Sequence, residues 1–455
     1  MKHSLQTAFK FWIGITLFVL ASLVIIYTRN GMVGLNLFIQ NWPLSNLAVT
    51  LASTALTWSL LGALLYILPN QKIDARNIWV TAGFFLVMFI YLSILRERFR
   101  YGDYHYYLEA ATALTKGQPL PDSYLYLPLW ASLLQFLVPF GDQGFMIILW
   151  IVNVFALAAF YFLLVTVLQR YGFTNHFAVV VTVLFLLINT PLMRTMGFIQ
   201  VNLLTLDLIL VSIIAYPKNE FLSALTLALA VHLKTSPAVL VLAFLLEFNW
   251  RWLVWFVVSF IAIGFLPVAT NGVMLYQQFL NNTFLLTQIP DTNFHDTSFD
   301  SFLRFLNPFL GIQIAQTRLM ALAAKVLLLI GTLLVMIQTI RNQSFSKENR
   351  ILNAVLPLFI LMTLASPIVW DHHGLFTSLA FLIMLKCIDS PAAWMWFGFA
   401  YFLEFVLPSF DFFPWSYGRL IAPLIVLVLM WKVSKKHEQS HFLGAVNAWF
   451  EKLPI

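Results

Sequence analysis

Asp103 is the first residue whose surroundings suggest chemistry. It stands in Arg100-Tyr101-Gly102-Asp103-Tyr104-His105-Tyr106-Tyr107, ahead of Leu108-Glu109-Ala110-Ala111 and a run ending at Gly117. A short acceptor side chain before a helix-favouring run reads as an N-cap. Tyr104, Tyr107, Leu108, Ala111 and Leu114 fall at i, i+3, i+4 spacing, so they form the apolar face of a helix lying along a surface. Gly117 stops that helix, with Pro119 just beyond. As a cap, Asp103 only satisfies backbone donors. At the mouth of a cavity, with burial and arginines tuning its pKa, the same carboxylate is a general base. Spacing alone leaves both readings open.

Other clusters pose similar choices. Tyr124-Leu125-Tyr126-Leu127-Pro128 places aromatic rings at the start of an apolar run. Such rings anchor helices at a bilayer interface, and they equally stack on a sugar. Gln200 and Asn202 open a further apolar run, with Asp207 deeper inside it. A carboxylate there needs a partner, and His232 or Lys234 is the expected one. Lys234-Thr235-Ser236-Pro237 breaks an apolar stretch into two short halves, because proline removes a donor and disfavours continued helix. Lys234 at that break either snorkels to the interface or binds a phosphate. Asp291, His295, Asp296, Ser298, Asp300 and Arg304 share one polar loop, but their spacing matches no zinc signature. Trp370-Asp371-His372-His373 begins a late span, with Asp371 as a cap or one histidine as a proton shuttle or phosphate donor. Adjacent helical histidines point about 100° apart, so they rarely chelate one metal together. Neither a metal nor another cofactor is expected.

The elements that must position these residues are membrane helices. The 455 residues are 61% hydrophobic and only 10% charged, too little charge to cover a soluble fold of this size. Apolar runs long enough to cross a bilayer recur at roughly 11–27, 47–68, 78–95, 144–168, 177–193, 200–216, 252–270, 319–340, 351–366, 373–388, 393–408 and 417–432, with the broken pair at 221–233 and 238–248. The expected fold class is an all-α polytopic bundle of about 12–14 spans with short amphipathic helices, forming one membrane domain over 1–455. Its features are a first outer loop at 96–143, a second at 271–318 and an amphipathic cytoplasmic tail at 433–455. The single cysteine, Cys387, excludes an internal disulfide and any multi-cysteine metal site. The net charge of +7 suits anionic headgroups or a phosphorylated substrate, and no basic stripe suggests nucleic acid.

With the N-terminus cytoplasmic, roughly 15 basic residues fall inside and roughly 10 outside, a modest bias in the usual direction. Asp103, Arg194, Gln200, Asn202, Lys234, Ser298, Arg304 and the Trp370–His373 cluster then share the outer face. Arginine dominates the cations on that face, and its fork binds phosphate bidentately.

Taken in order, these pieces resemble the GT-C membrane glycosyltransferases, and most nearly glycosyltransferase family 87, the polyprenol-phosphate-mannose-dependent α-mannosyltransferases. Asp103 with Tyr106-Tyr107, Ala110, Leu114, Gly117 and Pro119 is similar to the family's Asp-containing first outer loop, and Tyr126 to Leu129 to its Tyr-x-x-Pro-Leu. Gln200 and Asn202 resemble Gly-Gln-x-Asn, and Lys234 with Pro237 resembles Lys-x-x-Pro. Ser298 and Arg304 resemble part of an Asn-Gln-Ser and downstream Arg pattern, and Ser366-Pro367 with Trp370 and His372 a Ser-Pro-x-x-Trp-x-His element. Ile199 stands where the family usually has glycine, and Asp296-Thr297 replaces Asn-Gln.

The resemblance implies a hexosyltransferase that moves a sugar, mannose by analogy, from a polyprenyl-phosphate donor to the hydroxyl of a glycan or glycolipid acceptor. Asp103 would be the base and inversion the outcome. Lys234, His372, Arg304 and Arg194 would hold the donor phosphate. Tyr106, Tyr107, Tyr126, Gln200, Asn202, Ser298, Trp370 and His373 would line the substrate site. The implied setting is the bacterial cytoplasmic (inner) membrane, with the site on its outer face. The competing classes are a transporter or flippase of lipid-linked saccharides, which should carry midplane charges and paired broken helices in two halves, and a polymerase using two lipid-linked substrates.

Overall fold

The computed structural model describes residues 2–39, parts of 80–91, 102–288, 296–311, 314–342, 346–388, 390–407 and 415–434. The described residues form an all-α bundle, as the composition requires, because lipid offers no partner for an open sheet edge. Four helices are long and apolar enough to cross a bilayer: Phe9–Arg29, Pro128–Arg170, Trp250–Asn271 and Gln316–Arg341. A fifth is formed if Asn175–Leu187 and Thr190–Gly197, bent by 62°, count as one span. Asn202–Ala215, Glu220–Leu233 and Ser236–Leu246 are apolar but shorter. At 1.5 Å per residue a 14-residue helix covers about 20 Å, less than the hydrocarbon thickness. The difference from the expected 12–14 crossings comes from such short helices and from the expected spans 47–68 and most of 78–95, which lie outside the described residues, as does the tail from 435.

Six helices position the site: α1 (Tyr104–Thr115), α2 (Thr190–Gly197), α3 (Asn202–Ala215), α4 (Glu220–Leu233), α5 (Met274–Gln288) and α6 (Phe299–Leu310). α3 and α4 pack against each other, α3 also packs on Gly141–Arg170, and α4 on Trp250–Asn271. The latter helix exposes Val254, Val257, Ile261 and Phe265 on its other side, the surface a lipid-facing span presents. α1 buries Tyr104, Tyr107, Ala110, Ala111, Ala113 and Leu114, the face its spacing predicts with Ala110 and Ala113 added and Leu108 only partly covered. That face joins Tyr124, Trp130, Ile199 and Leu233 in a small cluster separate from the main core. α4 stops at Leu233, Lys234 turns extended, and a 3-10 turn over Ser236–Leu240 resumes, so the break falls where Pro237 predicts it.

The loop between α1 and Pro128 is stapled to α5. Gln278 accepts from the Leu120 backbone N–H at 2.9 Å, and Asn282 donates to the Pro121 carbonyl at 2.7 Å and to that of Tyr124 at 3.3 Å. The two polar loops therefore bear on each other directly.

Candidate active site

Asp103 precedes α1, but its carboxylate makes no capping hydrogen bond to the helix. Two contacts turn it elsewhere. Its backbone N–H donates to the Phe198 carbonyl at 2.9 Å, and its Oδ2 accepts from Nε2 of Gln200. Gly102 makes this approach feasible, since a Cβ there would stand 2.9 Å from the Phe198 oxygen. Gln200 follows Ile199, whose φ of 54° lies in the left-handed region that β-branched residues avoid. Glycine is the residue such a turn favours.

The amide of Gln200 is held at its other end as well. Its Oε1 lies 3.3 Å from the hydroxyl of Tyr107 and 3.2 Å from that of Tyr126. These phenols lie 3.2 Å from each other, and Tyr107 also accepts from the Val201 N–H at 3.4 Å. Burial pushes the Asp103 carboxyl up to about 6, against the opposing pull of the Lys234 ammonium. A carboxylate so placed accepts a proton near neutrality more readily than an ordinary surface aspartate.

Lys234 faces this carboxylate from the end of α4. Its Nζ donates to Oδ1 of Asn202 at 2.7 Å and sits 5.3 Å from the centroid of the Phe376 ring. The imidazoles of His372 and His373 feel the same ammonium charge. Their rings are 4.6 Å apart and nearly perpendicular, and His372 meets the Phe198 ring at 5.9 Å. Nδ1 of His373 accepts from the Trp370 N–H at 3.2 Å, which leaves Nε2 as the protonated nitrogen of the neutral ring. Nδ1 of His372 and Nδ2 of Asn202 are buried with no hydrogen-bond partner among the described residues. A carboxylate, an ammonium, two imidazoles and two unpartnered polar atoms therefore meet at one end of the bundle. Such a set can take a proton from one group and stabilise negative charge on another.

A model of glycosyltransferase family 87 matches residues 124–367, more than half of the chain. The chain belongs to glycosyltransferase family 87. It is therefore a membrane glycosyltransferase. Among curated proteins none matches it. The matched stretch holds Tyr126, Gln200, Asn202, Lys234, Ser298 and Arg304, and it ends on either side short of Asp103 and His372.

This family 87 chain uses some expected site residues differently. Arg194 and Arg419 flank the buried Asp371 at 3.8 and 3.6 Å. Asp371 does not cap its 3-10 turn either, since both oxygens face these arginines. The Ser298 hydroxyl donates to Oδ2 of Asp296 at 3.0 Å and accepts from the Ser301 N–H at 3.2 Å, starting α6. Asp296 itself accepts from the Val369 N–H at 2.8 Å and forms an isolated bridge with Trp370, tying the second polar loop to the histidine segment. Burial pushes the Asp296 carboxyl up to about 6 against these hydrogen bonds. Arg304 lies half-buried on α6, and Tyr106 is 47% exposed on α1, away from the face that carries Tyr107. Among the described residues no three metal-ligating side chains cluster, and Asp291 and His295 lie outside them.

Asp207 departs from expectation. Lys234 is engaged by Asn202, and Nε2 of His232 by the Phe260 carbonyl at 2.9 Å. Among the described residues, both carboxylate oxygens of Asp207 lack a hydrogen-bond partner. Five helical residues separate it from Asn202, which puts it about 7.5 Å deeper and turned about 140° away. Glu404 was missed altogether. It is fully buried in a π-helical turn over Phe402–Val406, where it accepts from the Thr377 hydroxyl at 3.0 Å. A lone acid in a phenylalanine-rich run was the available signal.

Proposed function

We propose that this enzyme transfers a hexose, mannose by the family resemblance, from a polyprenyl-phosphate sugar to a hydroxyl of a glycan or glycolipid, on the outer face of the bacterial cytoplasmic (inner) membrane. Asp103 removes the proton from the acceptor hydroxyl as its oxygen attacks the anomeric carbon. The new glycosidic C–O bond forms as the C–O bond to phosphate breaks, with inversion. The electron pair leaves on the polyprenyl phosphate, and the proton stays on Asp103 until solvent removes it. Lys234 stabilises the departing charge, assisted by His372. The lipid tail explains why the catalyst is built into a bilayer.

The observation that carries this reading is the pairing of a carboxylate that declines its own helix cap with an ammonium from a broken helix. The test uses purified enzyme in liposomes with a panel of polyprenyl-phosphate sugars. Asp103→Asn is expected to lower transfer by about a thousandfold or more while folding and donor binding persist. Transfer by the folded variant at more than about a tenth of the wild-type rate would overturn the assignment of the base.

A further inference from the structure

Gln200 sits where two roles compete: contact with sugar, or support of the base. Its side chain is 1% exposed, and both ends of its amide are already engaged. A group so enclosed has little to offer a pyranose. We propose that Gln200 is a positioning residue, held in one amide orientation by Tyr107 and Tyr126, which binds Oδ2 of Asp103 and leaves Oδ1 as the oxygen that takes the acceptor's proton. The proposal rests on Asp103 as the base.

The proton inventory supports it. Tyr107 and Tyr126 each bring one O–H, and the Val201 N–H already donates to the Tyr107 oxygen. The phenol protons are accounted for when the Tyr126 hydroxyl donates to Oε1 of Gln200 and the Tyr107 hydroxyl points to the same oxygen or to Tyr126. Rotating the amide by half a turn would set its oxygen against the Asp103 carboxylate, acceptor facing acceptor. The phenols thus choose the face of the amide, and the amide chooses the free oxygen of the acid. Backbone contacts fix the amide's origin: the Gln200 N–H donates to the Thr195 carbonyl at 3.0 Å. Tyr126 is fixed in turn, because its loop is bound by Gln278 and Asn282 of α5. The second polar loop therefore reaches the base through Tyr126 and Gln200 without touching it. The charged group facing Asp103 across the site is Lys234, and Tyr107 and Tyr126 are the other titratable groups that feel its charge.

Gln200→Glu and Tyr126→Phe test this in the full-length enzyme, with steady-state kinetics for both substrates from pH 4.5 to 8.5. Gln200→Glu sets a second carboxylate against Asp103, so the acid limb of kcat should move up by about one pH unit. Its kcat at pH 7 should fall about 10- to 100-fold with both KM values within about twofold, since misplacing a reacting group costs rate rather than affinity. Tyr126→Phe should lower kcat about 3- to 10-fold with both KM values unchanged. An unmoved acid limb in folded Gln200→Glu, or a rise in either KM with kcat intact, overturns the proposal in favour of a sugar contact. Should Gln200→Glu fail to fold, Tyr126→Phe decides by the same kcat-against-KM split. Activity in Asp103→Asn removes the base itself. Loss of activity there, together with a pure KM effect at Gln200, removes only the positioning role.

Discussion

Two acidic side chains at the same end of the bundle have opposite surroundings. Asp371 is buried between Arg194 and Arg419, with a cation facing each oxygen. Asp103 has one amide on one oxygen, and Lys234 across from it is bound to a neutral asparagine. The carboxylate of the first cluster is thereby matched, with a guanidinium on each side of it. The second leaves a carboxylate oxygen, an ammonium and the unpartnered atoms of Asn202 and His372 for whatever enters. A matched cluster holds structure, and an unmatched one does chemistry, since an uncompensated buried group persists where a ligand completes it. The matched cluster also carries the histidine pair, because Asp371 immediately precedes His372.

Substitutions that equalise the two clusters test this contrast. Lys234→Ala should have the largest effect: about a 100- to 1,000-fold loss of kcat in the transfer assay, because the leaving phosphate loses its fixed cation. Thermal unfolding should move little. Asp371→Asn should show the reverse pattern, with stability falling by about 3 kcal/mol in a denaturation series as two arginines lose their shared anion. A folded Asp371→Asn enzyme of wild-type stability but Lys234-like inactivity would erase the distinction between the clusters.

Acidity sharpens it further. With the Asp103 carboxyl pushed up to about 6, the ionised form that accepts a proton dominates above that pH and vanishes below it. Transfer should peak between about pH 6 and 7, dropping about tenfold per unit below as Asp103 protonates and falling again above as Lys234, brought down to about 7 by burial, loses its proton, read from a pH–rate profile. Ile199→Gly should have the smallest effect. It relieves a left-handed β-branched residue, worth about 1–2 kcal/mol, but empties a buried Ile site at a cost of about 2–5 kcal/mol, so net stability should fall by about 2 kcal/mol.

Much of the fold was legible because its causes are local. The apolar face of α1 follows from spacing, the break at Lys234 from Pro237, and the long helices expected near 144–168, 252–270 and 319–340 from apolar length. What stayed hidden depends on partners distant in sequence. Whether Asp103 caps α1 is decided by Gln200, whether Asp371 caps its turn by Arg194 and Arg419, and whether Ser298 is free by Asp296. Asp207 misled for the same reason, since sequence proximity to a polar run does not fix which way a helix turns it.

Gly102 contributes no functional group, yet the spacing between the Asp103 segment and the end of α2 is set by the methyl group it lacks. The Phe198 carbonyl occupies the room a side chain would need. The placement of Asp103 is thereby tied to a position that a scan for reactive residues would skip, and even alanine there would have to pry the two segments apart.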